Sequence, residues 1–162
     1  NDIIVNFDDT WYLTKDSRWN YFVKASYQWD EFQQWEQRLS PYGGFGYAVA
    51  RSDDLTWNLK LGGGGTWEYS GERGFDPQIL FGTNVDWTID KQQSLTAGLK
   101  IAPKITEFSN YLLTLSANYK LRIGNDSPVS LNLSLLDIYD STATGDSARN
   151  DLKLVLSLGY DF

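Results

Sequence analysis

Three residue types are absent from this chain of 162 residues, which contains no cysteine, no histidine and no methionine. The absence of cysteine excludes disulfide bonds and thiol chemistry. The absence of histidine removes the commonest general base and the commonest metal ligand. Because no methionine stands at position 1, we expect a processed chain or a fragment. No apolar run of about 18 residues occurs, which excludes a transmembrane helix but not a transmembrane barrel, whose strands alternate.

The charge and the missing histidine also narrow the classes of function. The formal net charge is −7, which argues against nucleic acid as a partner. Barrel enzymes usually need a histidine or an activated serine, so we expect no enzymatic activity. The carboxylates are scattered without the spacing of a ligand loop, so we expect no metal site and no cofactor.

The chain is instead rich in aromatic residues, and its pattern repeats with a period of two. Phe, Trp and Tyr make up 15% of the residues. From Leu55 to Tyr69 every second residue is apolar or glycine, and the residues between them are polar or glycine. The C-terminal stretch DLKLVLSLGYDF keeps the same rhythm. A period of two predicts β-strands, and no helical period of useful length occurs.

The alternation predicts nine strands, which are joined by tight turns and longer loops in alternation. Their ranges are 3–14, 19–30, 35–51, 55–69, 77–90, 93–104, 109–123, 128–139 and 149–162. Most have about 11–17 residues, whereas globular strands usually have about 5–6 and tilted transmembrane strands about 9–11. The predicted fold is therefore all-β, an antiparallel up-and-down transmembrane β-barrel, with residues 1–162 as a single domain.

The predicted number of strands is odd. Bacterial outer-membrane barrels usually have an even number, with both termini in the periplasm. An open sheet edge is not tolerated in lipid. We therefore expect a complete barrel of about ten strands or more, in which an upstream segment or another chain closes the sheet.

The apolar face of the predicted sheet is expected to face lipid. It carries about five large residues per strand, which is too much bulk for the interior of a barrel of this size. The other face is rich in small residues such as Gly62, Gly64, Ser116 and Asn118, which suit a crowded interior. The alternative is a soluble barrel that has the apolar face inside and binds an apolar ligand.

Aromatic residues on the apolar face fall near both ends of the strands, and leucines lie between them. Aromatic belts around an aliphatic band are typical of the two interfaces of a membrane. The predicted interface aromatics are Trp19, Tyr21, Trp29, Trp57, Trp67, Trp87, Tyr160 and Phe162.

Strand parity also predicts which charged residues point into the interior. They are Lys24, Arg38, Lys60, Glu68, Asp86, Lys100, Lys120, Arg122 and Lys153. Charges in such a place must be paired or hydrated, because isolated ones are costly. Two interpretations follow: a salt-bridged plug that fills a small barrel, or a narrow hydrated path whose cationic bias favours small anions.

The run LGGGG at 61–65 invites comparison with a phosphate-binding loop. No Lys-Ser/Thr follows it, and it lies within an alternating strand, so phosphate binding by this run is disfavoured. We expect its glycines to make room for bulky neighbours or to permit a bend.

Several stretches resemble a bacterial family of unknown function whose members are described as salt-induced outer-membrane proteins. The first two are YFVKASYQWDEFQQWEQRLSPYGGFGYAV at 21–49 and LTWNLKLGGGGTWEY at 55–69. The others are YKLRI, VSLNLSLLDIYDS and DLKLVLSLGYDF. The resemblance covers most of 15–162 and implies an outer-membrane barrel, usually with further N-terminal strand sequence. It implies no substrate and no catalytic residues.

Together these features predict an integral barrel of the bacterial outer membrane, with a structural or envelope-stress role and a largely filled polar interior. A small diffusion channel for small solutes or anions is the second hypothesis. The expected partners are outer-membrane lipid and the barrel-assembly machinery. The latter follows because the last strand, with the aromatic Phe162, resembles the signal that this machinery reads.

Overall fold

The structure is a computed structural model, and it describes residues 2–30, 37–69, 74–124, 128–142 and 149–160. Within these ranges the chain forms nine β-strands and no α-helix, so none of the described segments is a helix that could span a membrane. The strands are β1 (Asp2–Tyr12), β2 (Trp19–Asp30), β3 (Gln37–Arg51), β4 (Leu55–Glu68), β5 (Gly74–Thr88), β6 (Gln93–Pro103), β7 (Tyr111–Arg122), β8 (Val129–Asp140) and β9 (Asn150–Tyr160). The predicted strands are confirmed, and each predicted boundary lies within three residues of the observed one.

All nine strands belong to one sheet, in which each strand pairs antiparallel with its neighbours in sequence. The predicted all-β, up-and-down order is thereby confirmed. Within the described residues β1 pairs only with β2 and β9 only with β8, so the sheet is not closed. These strands alone therefore do not form the complete barrel that the sequence predicts.

The two ends of the sheet differ in the length of their connections, which are mostly shorter at one end than at the other. The end called here the turn end has the connections 13–18, 52–54, 89–92 and 123–128. The end called here the loop end has the connections 31–36, 69–73, 104–110 and 141–149. At the turn end, Ser52 N donates a hydrogen bond of 2.9 Å to the Leu55 carbonyl, and Ile89 N donates one of the same length to the Gln93 carbonyl. These bonds close two tight hairpins.

The sheet curls so that strands far apart in sequence face a common interior. Lys60 Nζ on β4 lies 3.2 Å from Thr10 Oγ1 on β1. A cavity of about 460 Å³ is lined by side chains from β1 through β8. Phe22 on β2 and Leu80 on β5 belong to one small buried cluster in this interior. The cross-section is therefore barrel-like, with the opening between β1 and β9.

The two faces of the sheet differ in chemistry. Directly opposite residues on paired strands share a face, which assigns every residue to the inside or the outside. On the inner face, Asn20 and Ser130 are 0% and 1% exposed. On the outer face, Leu59, Leu61 and Leu154 are 45%, 56% and 66% exposed. Large apolar side chains therefore lie mostly outside the curled sheet.

Glycines of β4 let two aromatic rings lie against the inner wall. A Cβ added at Gly62 would lie 2.8 Å from Phe22 Cζ and 2.6 Å from the carbonyl oxygen of Gly43. A Cβ added at Gly64 would lie 2.7 Å from Tyr42 Cδ1. Such contacts are shorter than a Cβ atom tolerates, so a larger residue at either position forces the neighbouring atoms to shift. This is the steric role that the sequence predicts for LGGGG.

Candidate functional site

Two adjacent cavities lie inside the curled sheet. They have volumes of about 460 Å³ and about 320 Å³, and the second lies toward the loop end. Tyr42, Lys100 and Thr114 line both, so the two cavities are adjacent, and together they are called here the interior space. The charges predicted for the interior that line this space are Lys24, Arg38, Lys60, Glu68, Asp86 and Lys100.

The other three charges predicted for the interior do not line these cavities. Lys120 and Arg122 lie near the turn end of β7. Lys153 on β9 stands opposite Leu136, which lines both cavities, and thus shares the inner face. Its Nζ is 3.3 Å from Asp151 Oδ2, and both side chains are about half exposed. The structure therefore brings six of the nine residues together and leaves three apart.

Two ion pairs lie in the cavity near the loop end. Arg38 donates hydrogen bonds from Nε (3.1 Å) and Nη2 (2.6 Å) to Glu68 Oε1. Lys104 Nζ is 2.8 Å from Asp76 Oδ2. The sequence prediction missed the second pair, because the predicted fifth strand begins at 77 and thus leaves Asp76 in a loop, although Lys104 lies within the predicted sixth strand. β5 begins earlier, at Gly74, and extending the alternation back to it would have placed Asp76 inside.

One carboxylate binds two lysines in the middle of the interior. Asp8 Oδ2 lies 2.6 Å from Lys24 Nζ, and Asp8 Oδ1 lies 3.7 Å from Lys60 Nζ. Lys60 also contacts the hydroxyl of Thr10, and its Nζ lies 5.2 Å from the ring centroid of Phe22. Two ammonium groups that share one carboxylate leave one positive charge in this part of the cavity.

Lys100 on β6 projects between the two cavities. Its cross-strand neighbours are Gly82 on β5 and Thr114 on β7, and neither is charged. Its Nζ lies 5.6 Å from the ring centroid of Tyr42, which is within range of a cation–π contact. The hydroxyl of Tyr42 in turn donates a hydrogen bond to Gln78 Oε1. Among the described residues, no carboxylate forms a salt bridge with Lys100.

The aromatic residues predicted for the interfaces lie near the two ends of the sheet. At the turn end, Trp11 stacks on Tyr21 with a centroid separation of 5.3 Å. At the loop end, Trp67 packs against Phe75 at 4.4 Å. Trp29 is partly buried, and Phe162 lies outside the described residues. The predicted residues with exposed side chains are Trp19, Tyr21, Trp57, Trp67, Trp87 and Tyr160.

The chemistry that this interior offers is electrostatic. Across the described ranges, no group of three or more Asp or Glu residues is placed to hold a metal ion. The cavity walls instead present ammonium, guanidinium, carboxylate and hydroxyl groups. Such a space can hold water or a small charged solute.

Comparisons with known proteins assign the chain to a family but do not give it an activity. No curated protein and no solved structure matches the chain. The profile of one family matches residues 4–162. Membership of a family of unknown function is thereby confirmed, whereas the description as salt-induced outer-membrane proteins stays an expectation. The chain belongs to the family described as "Protein of unknown function, DUF481".

Proposed function

We propose that this chain forms most of the wall of a β-barrel in a bacterial outer membrane, with a structural or envelope-stress role and no enzymatic activity. The observation that carries the proposal is the outward placement of the apolar residues. About thirty large apolar side chains are exposed, including Leu61, Leu156 and Leu158. Soluble proteins rarely expose contiguous apolar surface on this scale.

The same placement disfavours a soluble barrel that binds an apolar ligand. Such a barrel turns its apolar face inward, whereas the buried residues here include Asn58, Lys60 and Gln78. Removing one Leu or Phe side chain from water contributes about 1.5–3 kcal/mol. The outward residues gain this contribution only where lipid replaces water around the sheet.

The dimensions of the sheet also fit a bilayer. The strands have between 11 and 15 residues, whereas a tilted spanning strand needs about 9–11. The Trp11–Tyr21 pair and the Trp67–Phe75 pair lie at opposite ends, and Leu59 lies on the outer face between them. This is the arrangement of two interfacial belts around an aliphatic band.

The interior is chemically suited to a barrel lumen. The Arg38–Glu68 pair, the Lys104–Asp76 pair and the shared carboxylate of Asp8 neutralise most of the charges that line it. An unpaired charge is costly where it is buried, as at Lys60, whose side chain is 6% exposed. Pairing therefore lets a polar interior persist behind an apolar outer face.

Closure of this barrel requires a strand that runs opposite to both open edges. Because each strand reverses the direction of the one before it, β1 and β9 both run from the loop end to the turn end. The two edge strands can therefore pair with each other only in parallel. A second copy of the chain in the same membrane orientation does not change this, because its edge strands run in the same direction. An odd number of further strands, from an upstream segment or another chain, restores the antiparallel pattern that closed membrane barrels have.

Fractionation of Gram-negative cells that express the full-length protein tests this proposal. We expect the protein in the outer-membrane fraction, resistant to urea extraction and released only by detergent, because lipid covers its outer face. Recovery of folded protein in the soluble fraction without detergent would contradict the proposal that the chain forms the wall of a membrane barrel.

The interior space, whose two cavities lie side by side, favours a second candidate function, a path for small solutes or anions. The lining of this space runs from Asp86 near the turn end to Glu68 and Asp76 near the loop end. Planar-bilayer recording of the full-length protein separates the two candidates. Reproducible single-channel steps support the path, and a silent bilayer supports a filled interior.

A further inference from the structure

We propose that Lys100, together with Lys24 and Lys60, binds a small inorganic oxyanion, of the sulfate or phosphate class, in the cavity of about 460 Å³. The three side chains come from β6, β2 and β4 and line the same cavity. The inference deepens the proposed function, on whose barrel interior it rests, by naming a ligand class for that interior.

Two of the three lysines are held close together by a single carboxylate. Asp8 Oδ2 lies 2.6 Å from Lys24 Nζ, and Asp8 Oδ1 lies 3.7 Å from Lys60 Nζ. Like charges that line one cavity repel, and an anion between them converts this repulsion into attraction. The arrangement therefore favours the bound state of an anion over the empty cavity.

The carboxylates of the cavity do not balance these lysines. The cavity of about 460 Å³ is lined by three lysines and only two aspartates, which leaves one positive charge there. In the adjacent cavity, Glu68 and Asp76 are paired with Arg38 and Lys104, and Asp140 accepts hydrogen bonds from Thr142. Asp8 is already engaged by Lys24 and Lys60. Asp86 lies four residues along β5 from Gly82, the residue opposite Lys100, which is about 13 Å at 3.3 Å per residue. Within the part of the chain that the structure describes, Lys100 therefore lacks a carboxylate partner, and a small anion that enters the cavity can supply the negative charge.

The surroundings of Lys100 suit a small oxyanion. The hydroxyls of Thr114 and Ser40 line the same cavity and can donate hydrogen bonds to its oxygens. Hydrogen bonds from an ammonium group to an anionic oxygen are about twice as strong as neutral ones. A lysine ammonium is a compact point charge and lacks the planar fork of an arginine, so it selects charge and size rather than a bidentate shape.

Isothermal titration calorimetry of the full-length protein tests the site. The protein is purified in a neutral detergent, in a buffer free of sulfate and phosphate, and titrated with sulfate. We expect wild type to bind, Lys100→Gln to bind at least about tenfold more weakly, and Lys100→Arg to retain binding because the charge is kept. Circular dichroism establishes that each variant keeps its β-sheet, and Lys24→Gln replaces Lys100→Gln if the latter does not fold.

Lys153→Gln is the matched control, because Lys153 shares the inner face but is paired with Asp151 and lies off the cavity. Its sulfate affinity should equal that of wild type. The site is overturned if wild type binds no sulfate up to about 50 mM, far above the Kd of about 1 mM of a weak site. Equal weakening by Lys153→Gln and Lys100→Gln also overturns it. If the protein binds sulfate but is recovered in the soluble fraction, the proposed membrane barrel is contradicted and the proposed sulfate site is not.

Discussion

At the scale of single residues, the inner-wall glycines decide whether the rings of Phe22 and Tyr42 fit. We predict that Gly62→Val lowers the free energy of unfolding by about 1–3 kcal/mol, the usual cost of overpacking. The reason is that its Cβ would meet Phe22 Cζ at 2.8 Å and a backbone carbonyl at 2.6 Å. Denaturant unfolding of the full-length protein in lipid vesicles, followed by tryptophan fluorescence, measures the change.

The neighbouring glycine provides the control. Gly63 lies on the outer face, and the nearest atom to a Cβ added there is the Gln78 carbonyl oxygen at 4.0 Å. Gly63→Val should therefore leave stability nearly unchanged. Equal losses for the two variants would mean that loss of glycine itself, rather than contact with the ring, causes the effect.

For single residues, the sequence predicts what the two-residue period of a strand determines, namely the face of the sheet on which each residue lies. Parity places Lys24 and Lys60 on one face, and both line the interior cavity of the structure. Parity does not predict that Asp8 binds both of them, because these contacts join β1 to β2 and β4 across the curled sheet. It also does not predict that Lys100 has only uncharged neighbours on the adjacent strands.

At the scale of the element, β9 is the strand whose two faces are easiest to compare. It lies at an open edge, and nearly all its residues are exposed. We predict that Leu156→Arg costs about 2–4 kcal/mol of stability in lipid, because the side chain faces outward near the middle of the strand. Refolding and unfolding titrations in vesicles measure this cost.

The adjacent residue tests the assignment of the faces. Val155 lies on the inner face, opposite Ser134, so Val155→Arg places the charge away from lipid. Its cost should be smaller than that of Leu156→Arg. A larger cost at Val155 than at Leu156 would mean that the faces are inverted.

At the scale of the whole molecule, the sequence predicts the number and order of strands but not the shape that they enclose. Each strand carries its own alternation, so its existence and direction follow from local pattern. Curvature and closure depend on twist and on contacts between distant strands, which no period records. The opening between β1 and β9 is therefore a feature that only the three-dimensional structure reveals.

Introduced cysteines can detect the strands proposed to fill this opening. The chain contains no cysteine of its own, so only the introduced pair can react. In the full-length protein, cysteines at Leu133 and Leu156, which are opposite each other on β8 and β9, should form a disulfide and serve as the positive control. A pair at Phe7 on β1 and Leu156 on β9 should not, because even a single intervening strand separates the edges by about 9.6 Å, beyond the reach of about 7 Å for a disulfide. A bismaleimide reagent that spans two strand spacings joins this pair if one strand fills the opening, and leaves it unjoined if three strands do. Rapid disulfide formation between β1 and β9 would mean that the two edges pair directly in parallel. This result would contradict the proposal that further strands close the barrel.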